Sequence, residues 1–300
     1  MAAFEQVVET YRRLAAADPS SWEPDLARKL NDLGGHLTSL DRRERALAAS
    51  EEAVEIFVRL AAASPTDFEP QLAIALNNLA SRLSVLGRQD EALPAIEKAV
   101  AIYRRLAVAD PAAVAPEYAA ALRNLGLHLS KLGRWDEAHQ ATEESVEIYR
   151  RLAVADPAVF EPDLARALDN LARDLSARGH RQEGLATAEG VVEISRRLAA
   201  SDPAAFEPDH AQAVYNLSLH LSSLGRWERA QQAAEEAVEV YRRLAAVHPA
   251  AFDLQLARAP RQPRPRPLAA GPPAGGAGCL RGGGGRLSPP CRRRPHRHRA

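Results

Sequence analysis

Tyr11-Arg12-Arg13-Leu14-Ala15 returns as Phe57-Val58-Arg59-Leu60-Ala61 and again from Tyr103, Tyr149, Ser195 and Tyr241, always after 46 residues. Two further markers keep that period. Leu33, Leu79, Leu125, Leu171 and Leu217 each follow an Asp or Asn, and a proline stands at 24, 70, 116, 162 and 208. Three markers in one register define an internal repeat, and a period of this length is the mark of a stacked array.

Each unit reads as two helices. Leu26, Leu30, Leu33, Leu37 and Leu40 are spaced 4-3-4-3, which puts them on one face of a helix A. Pro24 suits a first helical turn, where a missing N–H costs nothing, and so marks its start. Gly87, Gly133, Gly179 and Gly225 close this helix where the chain must turn left-handed, and Asp41 is a weaker substitute in the first copy. Helix B runs from about Arg43 to Ala62, with Ala46, Ala49, Ala53, Ile56 and Leu60 facing inward. Ala46, Ala92, Ala138 and Ala230 allow close approach to helix A. Gly184, after Glu183, stands beside this register and would cost about 1 kcal/mol relative to alanine if exposed. A polar stretch containing Pro65, Pro111, Pro157, Pro203 or Pro249 ends helix B. Phe68, Phe160 and Phe206 in that connection are expected to plug the gap between hairpins.

The expected fold is all-α: a right-handed α-solenoid of antiparallel helix hairpins. A partial B helix at 2–17, in which Val8 aligns with Val54, precedes five hairpins at about 24–63, 70–109, 116–155, 162–201 and 208–247. A sixth A helix opens at 254–259 and collapses at Pro260. One hairpin cannot bury both of its apolar faces, so neighbours must stack, and their small mutual rotation makes a curved inner surface. Residues 260–300 contain nine prolines and eight glycines, a composition that implies disorder. Their abrupt onset inside a repeat is also what a shifted reading frame in a GC-rich gene gives; repeat sequence continuing in a neighbouring frame would show it.

The formal net charge of zero hides a segregation. Residues 260–300 hold ten of the 39 basic residues and no acid, leaving 29 bases against 39 acids in residues 1–259. Both cysteines, Cys279 and Cys291, lie in that tail, which excludes a disulfide framework and points to a reducing compartment. The start lacks a signal-peptide pattern and no window is apolar enough to span a membrane, so a cytoplasmic setting is expected.

The spacing of Leu79, Ala80, Leu83, Ala92, Ile96 and Ala99, and of Leu125, Gly126, Leu129, Ala138, Thr142 and Ser145, resembles that of tetratricopeptide repeats. The family's basic unit is about 34 residues, so helix B and its connector are extended here. Asn77-Asn78-Leu79-Ala80 is similar to the extended repeats of kinesin light chains and of actinobacterial arrays. The resemblance covers residues 1–259 and implies a superhelix whose groove is lined by helix A. Carried over by register, the groove candidates are Arg28 and Asn31 in the first unit, then Ile74 and Asn77 in the second. Arg123 follows in the third, Arg166 and Asp169 in the fourth, Gln212 and Tyr215 in the fifth. Beside them run Asp32, Asn78, Asn124, Asn170 and Asn216, whose amides could hold a peptide backbone, tie adjacent helices together, or do both. The repeated Lys/Arg pairs that clamp a C-terminal carboxylate in chaperone-binding members are missing.

Arginine pairs such as Arg104-Arg105 and Arg150-Arg151 sit beside Glu-rich segments and read as solvated helix surface, well placed for the helix dipole. The basic tail would bind nucleic acid only non-specifically and with strong salt dependence. His36, His128 and His220 share a register but lack metal-ligand spacing, and Gly282–Gly285 lacks the Lys-Ser/Thr of a phosphate loop. No nucleophile motif is present. The expectation is a non-catalytic protein–protein interaction scaffold without cofactor, taking a peptide or a helix, as a piece of a larger regulatory protein. The alternative is a structural array that self-associates through its open ends, or a remnant without a specific partner.

Overall fold

A single residue joins each B helix to the next A helix, and it ends one helix while starting the other. The computed structural model describes residues 2–247 and Phe252. Among them α1 spans Ala2–Ala17, and A and B helices then alternate. They are α2 (Pro19–Ser39), α3 (Arg43–Ala63), α4 (Pro65–Val85), α5 (Gln89–Ala109) and α6 (Pro111–Lys131). α7 (Trp135–Ala155), α8 (Pro157–Ala177), α9 (Arg181–Ser201), α10 (Pro203–Ser223) and α11 (Trp227–Val247) complete the array. Each helix packs on the next, giving an all-α, right-handed solenoid of hairpins in which α1 takes the place of a B helix. The sixth A helix expected at 254–259 and the tail from 260 onward, with both cysteines, lie outside the described residues.

Helix A begins five residues earlier than Pro24 and its counterparts suggest. At the joint before α6, the Asp110 N–H bonds to the Leu106 carbonyl at 3.1 Å and closes α5. Its carboxylate accepts from the N–H groups of Ala112 and Ala113, both at 3.1 Å, and opens α6. Asp18, Asp156 and Asp202 cap in the same way, while the Ser64 hydroxyl donates to Asp67 at 2.6 Å. A proline follows every joint; it needs no N–H in a first turn and pushes the residue before it to extended backbone. The joints accordingly share φ values of −140° to −144°. Pro24, Pro70, Pro116, Pro162 and Pro208 therefore lie inside helix A. Phe68, Phe160 and Phe206 are half-buried in its first turn and not in a connection.

The opposite turn, from A to B, uses the left-handed region at φ 72° to 93° in Gly87, Gly133, Gly179 and Gly225. The Arg134 N–H reaches back to the Leu129 carbonyl at 3.0 Å, which satisfies an orphan carbonyl of α6. Asp41 adopts φ 56° at the same place, an uncommon but tolerated conformation for Asp. Leu26, Leu30, Leu33 and Leu37 are buried, but Leu40 has left the helix at this turn and is 50% exposed.

The backbones of successive A helices come close at α2/α4, α4/α6 and α6/α8, whereas successive B helices meet through long side chains such as those of Arg104 and Glu144. The A helices therefore lie on the inside of the curve. Close approach within a hairpin rests on small residues, and Ala46, Ala92, Ala138 and Ala230 are 0–1% exposed. Gly184 stands in their register and not beside it, and it is buried. A Cβ there would lie 2.5 Å from the Ser176 Oγ and 2.8 Å from the Ala172 carbonyl oxygen. Gly184→Ala is thus expected to destabilise by about 1–2 kcal/mol through overpacking, against the gain in helix propensity. Chemical denaturation would read it; a more stable variant would contradict the close packing.

Candidate functional site

The A-helix face divides into an exposed register and a half-buried one. Arg28, Ile74, Arg166 and Gln212 are exposed, with half-buried Ala120 in the same register. Arg28 is held by Asp25 at 2.6 Å, and Arg166 reaches from α8 to Asp209 of α10 at 3.0 Å. Asn31, Asn77, Arg123, Asp169 and Tyr215 form the half-buried row behind them.

The asparagines meet that row. Asn78 donates to the Asn31 Oδ1 at 3.1 Å, Asn124 to the Asn77 Oδ1 at 2.8 Å, and Asn216 to the Asp169 Oδ1 at 2.8 Å. Each bond joins one A helix to the next, so these amides tie neighbouring hairpins together. Asp32, in the first A helix, is exposed. The chain of bonds breaks at Asn170, because its counterpart on α6 is Arg123, a side chain with no acceptor. Asn170 is 8% exposed and accepts from Arg173 of its own helix. Arg123 keeps its Nε buried and without a hydrogen-bond partner among the described residues.

A cavity of about 210 Å³ opens on this face between α8, α9 and α10. Six groove candidates border it: Arg123, Arg166, Asp169, Asn170, Gln212 and Asn216. Its interior residues, Val191, Ser195 and Leu198 on α9, stand outside the helix-A register from which the candidates were taken. The one sequence signal for it is Ser195, the non-aromatic member of the Tyr11 register.

The histidine register does not assemble into a site. His36 stacks on Phe4, with ring centroids 4.1 Å apart. The His128 Nδ1–H points at the Gln89 Oε1 across 3.2 Å, and the His220 Nδ1 lies 2.9 Å from the Ser176 Oγ. Between them the register carries Arg82 and Asp174. Asp174 accepts from Ser130 and Thr142 at 2.6 and 2.9 Å. Arg82 is 8% exposed, and its Nη2 donates to the Asn31 carbonyl at 3.3 Å. Among the described residues no group of three His, Cys, Asp or Glu side chains could hold a metal ion. No helix there is long and apolar enough to cross a membrane.

Six of the ten arginines in the repeated Arg-Arg pairs, Arg12, Arg104, Arg105, Arg196, Arg197 and Arg243, have intramolecular carboxylate partners. Arg59, Arg105, Arg197 and Arg243 on the B helices bond to Glu23, Glu69, Glu161 and Glu207 of their own hairpins at 2.6–3.2 Å. Arg12 and Arg104 reach Glu52 and Glu144 on the following B helix. These pairs are mostly exposed and individually contribute little to stability. Their consequence is electrostatic: the paired arginines are neutralised on the surface, while Arg13, Arg150, Arg151 and Arg242 take part in no ion pair among the described residues.

Two measurements follow from this geometry. Arg123→Asn supplies Asn170 with an acceptor and is expected to stabilise the array by about 1 kcal/mol, a gain that Asn170→Ala should remove in a double-mutant cycle. An unchanged gain in the double variant would break the proposed link. Burial also pushes His128 down from 6.5 to about 4, with Lys131 adding to the effect. Its contribution is intact above pH 6.5 and is lost as pH falls toward 4, since the unfolded chain takes up the proton first. The full loss is on the order of 3 kcal/mol. His128→Gln should flatten the melting temperature in the upper half of that window, above the range where carboxylates titrate; His210 and His220, also lowered by burial, contribute to the remaining slope.

Comparison with known proteins agrees with this architecture. The tetratricopeptide repeat model matches residues 72–112, 119–157, 164–212 and 210–250. No curated relative matches the chain in sequence. Among solved structures, BtubC (BKLC) from P. vanneervenii is 20% identical with a TM-score of 0.64, covering 81% of this chain and 90% of its own. A Podosopora anserina chain of nearly identical TPR-like repeats is 21% identical with a TM-score of 0.55, covering 74% of this chain and 96% of its own. The Rap conjugation gene regulator of plasmid pLS20, solved with the Phr* peptide, is 17% identical with a TM-score of 0.55, covering 79% and 59%. At these identities the likeness shows the fold alone, but the repeat model spans more than half of the sequence: the chain belongs to the tetratricopeptide repeat family.

Proposed function

We propose that the protein is a non-catalytic interaction scaffold that takes an extended peptide or a helix along the face of its A helices. The observation that carries this reading is the exposed register on the inside of the curve. Arg28, Ile74, Ala120, Arg166 and Gln212 change chemistry from copy to copy while the leucines and alanines beneath them hold the spacing. A fixed frame with a varied, chemically mixed face can discriminate among partners, and a helical groove of this kind suits a peptide. The Rap regulator of similar fold, solved with a peptide, supports that class of partner. The 46-residue period supports placing the array with the extended, kinesin-light-chain-like type, and the cysteine-free array suits a reducing, cytoplasmic setting.

Peptides selected from a displayed library against the full chain should bind with micromolar affinity, on the order of −8 kcal/mol. Ile74→Asp and Arg166→Glu should each weaken them by about tenfold or more, while Val154→Ser, on the far side, should not. Binding that follows Val154 and ignores the A-helix face would refute the groove. The competing reading, end-to-end self-association, draws on Phe4 and Val7, which are 37% and 41% exposed on α1. A monomeric mass by light scattering over a wide concentration range would rule it out.

A further inference from the structure

Every copy of the repeat but one places an aromatic ring at the same point of its B helix. Tyr11, Phe57, Tyr103, Tyr149 and Tyr241 supply it, and Ser195 is the exception. Phe57, Tyr103, Tyr149 and Tyr241 are only 2–3% exposed, so the ring belongs to the core. Tyr149 shows where it goes. Its hydroxyl lies 3.5 Å from the Pro116 carbonyl of α6, and the charge of Asp163 on α8 is felt at the ring, so the ring occupies a slot between successive A helices.

At Ser195 the ring is missing and the slot is the cavity of about 210 Å³. Advancing the Tyr149 slot by one repeat turns Pro116 into Pro162 and Asp163 into Asp209, and both border this cavity. Val191, Leu198 and Ala213 give it apolar walls. Arg166, Asp169, Gln212 and Asn216 of the A-helix face border the same opening. The core has not closed over the gap. His210, which replaces Leu164 of the previous copy, pairs its Nδ1 with the Ser195 Oγ at 3.0 Å and does not line the opening. Arg123 does line it; its side chain also lies beside the Tyr149 hydroxyl, and its buried Nε has no hydrogen-bond partner among the described residues. That orphan donor is independent of the missing ring, and an acceptor on a bound segment would satisfy it.

We propose that this cavity is a pocket for one aromatic side chain, phenylalanine or tyrosine, of a peptide partner, completing in trans the slot that the other copies fill from their own helix. The inference rests on the groove reading above and adds the residue class that anchors the peptide. An apolar cavity of about 150 Å³ takes benzene, so this one has room for a ring with its methylene and hydroxyl. A tyrosine would bring its hydroxyl toward the Pro162 carbonyl, as Tyr149 does toward Pro116. A single buried anchor of this kind dominates the affinity of a peptide.

The test uses p-cresol, the side chain of tyrosine, titrated into the full ¹⁵N-labelled chain. Saturable shifts are expected at the amides of Val191, Leu198 and Ala213, with millimolar affinity. The paired variant Ser195→Tyr/His210→Leu copies the Tyr149 and Leu164 of the preceding unit and should abolish them. Ala213→Met, which fills the slot from α10, is the second variant. Absence of saturable shifts in the wild type, or shifts unchanged in a folded filled variant, overturns the proposal. Groove-selected peptides give the second arm. Replacing their aromatic residue by Ala should weaken binding to the wild type on the order of 50-fold and leave binding to the filled variant unchanged. Peptides that bind both proteins equally would overturn the pocket while the groove stands. Failure of every peptide on both proteins would overturn the groove, and p-cresol would then decide the pocket alone. A doubling of mass that excludes p-cresol from the wild type would assign the slot to a second copy and also overturn it.

Discussion

The one-residue joint between hairpins governs the whole array. At Asp110 a single extended residue closes α5 through its N–H and opens α6 through its carboxylate. A longer connector would let successive hairpins rotate freely; one residue with a proline behind it leaves a single geometry. Because that geometry recurs at Asp18, Ser64, Asp156 and Asp202, the rotation from hairpin to hairpin is repeated and the A helices gather on one side. The groove is therefore a consequence of the joint. Of the residues lining it, those in the asparagine bonds and in the Arg166–Asp209 pair tie one A helix to the next.

Much of this was legible in the sequence, for a physical reason. Period and apolar spacing report burial directly, so the leucine stripe of helix A as far as Leu37, the small alanines of helix B and the glycines of the A-to-B turn stand where the pattern puts them, while Leu40 falls past the helix end. Helix starts were less legible. Pro24 looks like a first-turn residue, yet Asp18-Pro19 is the stronger start, because it combines a side-chain cap with a proline at the first position. A helix held by that cap accommodates a proline at its sixth residue, where one bond is forfeited. Gly184 misled in the other direction. Its low helix propensity suggested weakness, but propensity says nothing of a carbonyl and a hydroxyl packed where its Cβ would be.

The candidate site was half legible. Register identifies which residues share the A-helix face, but it does not tell which of them spend their polar groups on each other. The asparagine bonds link positions 47 residues apart, one step off the period, and so join the conspicuous Asn row to the variable row beside it. Part of the variation at Asn31, Asn77 and Asp169 is therefore constrained: each supplies an acceptor. Arg123 is outside that constraint, and the bond is missing at its joint.

A solenoid is also the kind of fold that can keep such a defect. In a closed globule a missing core ring is felt by every layer, whereas here stability is close to a sum of hairpin and nearest-neighbour terms. The cost of replacing a tyrosine by Ser195 falls on the α8/α9/α10 contact, and the other units retain their own rings. Arg123 and Ser195 lie 72 residues apart in sequence, each departs from the pattern of its register, and both border one opening on the inner face. A departure elsewhere opens a recess as well: at residue 115 an alanine in the place of Glu69 leaves Arg151 without that partner, and a cavity of about 420 Å³ lies there between α5, α6 and α7. The recess at Ser195 differs in where it opens: Arg123 and Ser195 meet at an opening bordered by Arg166, Asp169, Gln212 and Asn216 of the A-helix face.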